Sequence, residues 1–137
     1  MSVPAPHFLT PILKGSASDY FLGIDGRSTV LAGTLEPAFD SKTRNRGLLG
    51  RTSLAEETAL IIAPSNSVHT FGMRFPIDVI YARRDGRVVK IRESMPKSRI
   101  SLAWRAFAVI EMAAGSAERA GLEVGDIVFV RKRDLKK

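Results

Sequence analysis

The sequence predicts a β-rich α+β fold: an antiparallel or mixed sheet curled into a barrel-like domain with two short helices. Three observations lead there. Ile77 to Ala82 is an almost unbroken apolar and β-branched run, as expected of a strand buried on both faces. Asp85-Gly86 follows, and Val88, Val89 and Ile91 return as a partner, which reads as a hairpin with a two-residue turn. The other candidate strands are short and joined by successive turn signals, without the long helical stretches of a βαβ fold.

The elements follow in order. Residues 1 to 17 hold three of the seven prolines and few periodic apolar positions, so they read as an extended arm ahead of a single β-rich domain over 18–137. Tyr20 to Ile24, the Asp25-Gly26 turn and Thr29 to Leu35 suggest a first hairpin. Pro37 suits the first turn of a helix that continues through Arg46 to a glycine cap at Gly47. Ser53-Leu-Ala-Glu56 has capping-box spacing with room for one helical turn before a strand at Thr58 to Ala63. Pro64 to Ser67 reads as a loop. Met95 to Ser98 breaks the pattern, Ile100 to Arg105 is ambiguous, and Phe107 to Met112 is another strand. Ser116 is placed to cap a single turn over Ala117 to Ala120, ended by Gly121, before a last strand at Ile127 to Arg131.

At 137 residues, with 45% hydrophobic and 26% charged side chains, the composition is that of an ordinary globular protein. No apolar run is long enough to cross a bilayer, and the first residues lack the pattern of a secretory signal, so a cytoplasmic location is expected. The absence of cysteine excludes disulfides, zinc-thiolate sites and thiol nucleophiles. The net charge of +7 is uneven: residues 1 to 40 carry −2, and residues 41 to 137 carry +9. Two basic clusters lie at 83 to 105 and 131 to 137, which could meet nucleic acid or an anionic membrane or serve only as solvated surface.

Several motifs together resemble the domain of unknown function 192 family. They are Gly47-Leu-Leu-Gly-Arg51, His69-Thr-Phe-Gly-Met73 with Pro76-Ile-Asp78, Asp85-Gly86, and Ala114-Gly115 through Ala117 to Asp126, in family order over about residues 30 to 131. The resemblance implies a compact β-rich α+β domain found in bacteria and archaea, and no established reaction. Many members carry export signals, from which this chain departs. Residues 115 to 128 also resemble the helix-to-strand segment of PDZ domains. In those domains the peptide-binding helix lies near the end and is paired with a nearby carboxylate loop, which this order of elements does not supply.

The residues that stand out chemically begin with Asp78, one carboxylate inside the central apolar run. Buried without partners, such a group costs several kcal/mol or takes up a proton. If the turn at Phe71-Gly72 folds back, His69 and Arg74 would reach Asp78, with Arg51, Thr70 and Met73 completing a cleft for a small anionic or polar ligand. The alternative is a satisfied structural cluster in which Arg74 or Arg51 neutralises the acid. Hydrolysis at a His69-centred site is a further reading, although Ser65, Ser67 and Thr70 lie in no nucleophile elbow. Two well-separated histidines, and an Asp78 with no paired carboxylate at ligand spacing, give no metal site; Glu56-Glu57 reads as surface charge, and no phosphate loop is present, so no cofactor is expected. Arg83, Arg84, Arg99, Trp104 and Arg105 form the one basic patch with an interleaved aromatic, open to base stacking unless Trp104 plugs the core. Nothing in the sequence sets the oligomeric state.

Overall fold

Short apolar runs separated by glycine and proline fold here into strands that stack as layers. The computed structural model describes residues 6–14 and 16–134. In chain order the elements are β1 (Tyr20–Ile24), β2 (Val30–Ala32), β3 (Thr34–Ala38), α1 (Ser41–Arg46), β4 (Thr58–Ile62), β5 (Ser67–His69) and β6 (Ile77–Ala82). They continue as β7 (Val88–Met95), β8 (Ile100–Leu102), β9 (Ala108–Ala113), α2 (Ser116–Ala120) and β10 (Val128–Lys132). The central sheet runs β3-β4-β9-β6-β7; β3 and β4 are parallel, and the other neighbours antiparallel. A second sheet, β10-β1-β2, and a ribbon of β5 with β8 complete the set. The fold is therefore β-rich α+β with two short helices, but no sheet among the described residues closes into a barrel, because β1, β2 and β10 pair with one another instead of extending the central sheet.

Strands β4 and β6, and β9 as far as Met112, are buried along their length, so both faces of the central sheet carry core. Successive side chains point to opposite faces. Ala59, Ile61, Ile80, Ala82, Ala108, Ile110 and Met112 meet Leu22, Ile24, Val128 and Val130 of the three-stranded sheet. Leu60, Ile62, Ile77, Val79, Tyr81 and Val109 face the other way, against Leu48, Leu54, Val68, Met73 and Met95. The described part of the N-terminal segment lies on the domain: a 3-10 turn at Thr10–Ile12 buries Leu9 and Ile12, and the Phe8 N–H donates to the Arg84 carbonyl at 2.8 Å.

Four local expectations are corrected by tertiary context. The central hairpin turns through Arg84, Asp85 and Gly86, with Gly86 at φ 89°, because a third residue in the left-handed region matches the strand twist. Pro37 lies in β3, an edge strand where its missing N–H is tolerated, and α1 begins later, capped by Asp40, which accepts the Thr43 N–H at 2.8 Å. The Ser53 to Glu56 box forms no helix; Thr58 enters β4 directly from a turn. Ser116 does not cap α2, since its hydroxyl donates to the Ala113 carbonyl at 2.6 Å.

The cap of α2 is Asp78, from β6. Between Ile77 and Val79 the β6–β7 register shifts, leaving one extra residue on β7. Ser94 takes φ 47° there and turns its N–H onto Asp78 Oδ1 at 2.8 Å. The other oxygen, Oδ2, accepts the Ala117 N–H at 2.9 Å. One buried carboxylate thus satisfies the bulge and the start of α2, which ties β6, β7 and α2 together. Asp78→Ala leaves two amide donors without acceptors and is expected to cost about 3 kcal/mol, read as a lower urea midpoint with the slope unchanged; a loss under about 1 kcal/mol would show that the tie is not structural.

Candidate functional site

The face of the central sheet opposite Asp78 is less completely covered. Over it lie the turn after α1 and the β5–β8 ribbon, and between them remains a cavity of about 260 Å³. Helix α1 ends at Gly47 with φ 50°, which turns the chain so that Leu48 drops into the core while Leu49 stays at the surface. Apolar walls come from Leu48, Ile62, Val68, Met73 and Ile77, and the polar lining includes Arg44, Arg46, His69 and Glu111.

Glu111 arises from the pairing of strands. Glu36 on β3 stands opposite Leu60 on β4, Leu60 opposite Glu111 on β9, and Glu111 opposite Val79 on β6. Residues in register across a sheet share a face, so the two acids flank one leucine on the cavity side. Arg51 bridges towards them: its Nη2 and Nη1 donate to Glu36 at 2.8 and 3.3 Å, and it acts on Glu111 only through space. Glu111 is 5% exposed, and its carboxyl has no hydrogen-bond partner among the described residues. Burial pushes it up to about 7 from an ordinary 4.5, with Arg51 pulling the other way. A carboxyl held near neutrality beside an opening can accept or release a proton, or receive a donor from a ligand.

The residues expected to converge are divided between the two sides of the sheet. His69 and Met73 line the cavity, and Arg51 stands beside it. Asp78 lies one residue out of phase with Ile77 and Val79, so it points to the other face and meets neither His69 nor Arg74. Among the described residues no arginine pairs with it; its partners are amides. Arg74 is exposed and makes no hydrogen bond or ion pair among the described residues. Thr70 is buried, where its hydroxyl donates to the Pro96 carbonyl at 2.6 Å and accepts the Arg99 N–H at 2.8 Å. His69 stacks on Phe71 at 5.6 Å, and no serine or threonine hydroxyl bonds to it among the described residues. Glu111 was missed, although a lone acid in the apolar run from Ala108 to Ala113 is the same signal that singled out Asp78.

The structure brings part of the basic patch together. Arg83 pairs with Asp85 at 3.5 Å, and Arg84 lies over the Phe107 ring at 4.5 Å. Arg84 and Arg105 line a shallow depression of about 480 Å³ with Phe107. Trp104 is no core plug: it is 87% exposed, because the chain turns between Ala103 and Ala106 and carries the indole outward. It stands with exposed Ile100 and Leu102 on and just after β8, near exposed Lys97, Arg99 and Arg105 in sequence.

Comparison with known proteins agrees with this architecture. The profile of the DUF192 family, described as "Uncharacterized ACR", matches residues 23–130, and the chain belongs to that family. A crystal structure of a protein of unknown function from Novosphingobium aromaticivorans is similar at TM-score 0.69 and 27% identity, over 79% of this chain and 82% of that one. A Sinorhizobium meliloti protein described as a "putative transcription regulator" is similar at TM-score 0.70 and 21% identity, over 84% and 96%, which shows a shared fold alone. No curated protein matches.

The elevated Glu111 makes stability depend on pH. The folded state holds its proton up to about 7 while the unfolded chain releases it near 4.5, so folding is progressively penalised as pH rises through that window. Relative to Glu111→Gln, the wild type should lose up to roughly 3 kcal/mol between pH 4 and pH 8. Urea unfolding of both proteins at those two pH values reads the difference, and an unchanged gap would mean that the carboxyl is solvated.

Proposed function

We propose that this chain is a small-ligand-binding domain whose site is the cavity between α1, the β5–β8 ribbon and β9, open to a polar or anionic molecule. The observation that carries the reading is Glu111, a carboxyl buried at the cavity with no protein partner among the described residues. Cationic groups of Arg44 and Arg46, with His69, supply complementary polarity, while Met73 and its aliphatic neighbours give the apolar wall common to ligand sites. Of the residues first expected to bind, His69, Met73 and Arg51 belong to this reading; Thr70, Arg74 and Asp78 lie outside it.

A second reading rests on a different surface. Trp104, Ile100 and Leu102 are exposed on a stretch carrying Lys97, Arg99 and Arg105, and Arg84 and Arg105 share the depression at Phe107. That combination suits contact with a polyanion, either nucleic acid or anionic lipid.

Two experiments separate these readings. Thermal-shift screening with small carboxylates, phosphates, amino acids and sugars should yield compounds that raise the wild-type Tm, and Ser67→Trp, a bulky substitution in the cavity lining, should reduce the shift; equal shifts in both proteins would place the site elsewhere. Binding to anionic vesicles or single-stranded oligonucleotides should fall steeply from about 50 to 200 mM salt and weaken in Trp104→Ala with Arg105→Ala. No binding at the lower salt would dismiss the second reading.

A further inference from the structure

The lining of the cavity is dipolar. Glu111 is the one acid in it, and its nearest strong cation, Arg51, is already held by both oxygens of Glu36. Arg46, at the end of α1, lines the same space and makes no side-chain hydrogen bond or ion pair among the described residues. Arg44 beside it bonds the Pro64 carbonyl at 3.2 Å and Ser41 Oγ at 3.5 Å, and its Nε is buried without a partner. Between these poles the walls are aliphatic, from Leu48, Ile62, Val68 and Ile77, with Met73 as a deformable surface.

Each pole restricts what can enter. A simple anion held by the arginines could accept a hydrogen bond from Glu111 only while that carboxyl keeps its proton, and would be repelled once it ionises. A simple amine paired with Glu111 would leave the guanidinium groups of Arg44 and Arg46 in the same lining without an anion. A molecule carrying an ammonium and a carboxylate satisfies both poles with charge-assisted hydrogen bonds. Size agrees: about 260 Å³ lies below the range of pockets for drug-sized ligands, and the aliphatic wall calls for one apolar substituent.

We propose that the cavity binds a small zwitterion of the α-amino-acid class with an apolar side chain, its ammonium on Glu111 and its carboxylate towards Arg44 and Arg46. The assignment rests on the cavity being the binding site. Ligand binding would also draw Glu111 into its ionised form, so affinity for an amino acid should rise with pH across the range where that carboxyl titrates.

Calorimetry on the full chain with alanine, valine, leucine, methionine and phenylalanine tests it, alongside the two half-molecules of leucine, 3-methylbutylamine and 4-methylpentanoate. At least one amino acid should bind saturably, with both half-molecules weaker by about tenfold or more. Glu111→Gln should lose about tenfold for the amino acid while leaving 4-methylpentanoate unchanged, and Arg46→Gln should do the reverse with respect to the amine. If 4-methylpentanoate binds as tightly as leucine and Glu111→Gln does not matter, the cavity remains a site and the zwitterion assignment is overturned. If none of the amino acids binds, the assignment also fails, and the response of Ser67→Trp to any other bound compound decides separately whether the cavity is a site.

Discussion

The constraint on which this structure depends is that its central sheet is buried on both faces while two of its inner strands each carry a carboxylate. A strand shared between two cores has no face on which an acid can be left in water. Asp78 and Glu111 must each be accommodated inside the protein, and the strand period sends them to opposite sides. Asp78, opposite Met112, is fully satisfied by the Ser94 and Ala117 amides. Glu111, opposite Val79, is not. The first acid consequently holds the fold together, and the second is left poised beside an opening.

The opening is itself a product of how the two faces are covered. The three-stranded sheet lays a continuous apolar surface over the Asp78 side and is joined there by Leu9 and Ile12. The other side is roofed by short pieces: a six-residue helix with no buried residue, the turn at Leu48, and a ribbon with three residues in each strand. Such pieces contribute single anchors, Leu48, Leu54, Val68 and Met73, and do not interdigitate as two full sheets do. Space of ligand size remains between these pieces and the sheet, at Ile62, Ile77 and Glu111. The arginines of α1 reach that space because the helix has no apolar stripe to bury, which leaves its polar side chains to face the gap.

Membership in the DUF192 family and the similarity to solved structures agree with this architecture without assigning a chemistry. The chemistry has to be sought in the asymmetry between the two acids. Structural carboxylates are recognised by complete partnering, as at Asp78 with its two amides. A carboxyl buried without partners is costly unless something else, a proton or a ligand, completes it. Burial alone does not distinguish the two; the inventory of donors does.

By itself the sequence determined the β-rich class, the long central hairpin and both short helices, because these follow from apolar periodicity and from turn residues whose backbone preferences act locally; the family was legible as a resemblance in its motifs. It also marked Asp78 as a buried acid, whereas Glu111, which carries the same signal, was recognised only in the structure. Only the tertiary structure decided that Asp78 would cap a helix 39 positions away, that Pro37 would sit in an edge strand, that Trp104 would point outward and that the sheets would stay open. Each of those outcomes depends on which strand lies beside which, and neighbours in a sheet are chosen by the summed burial of both faces, a quantity that no window of consecutive residues contains.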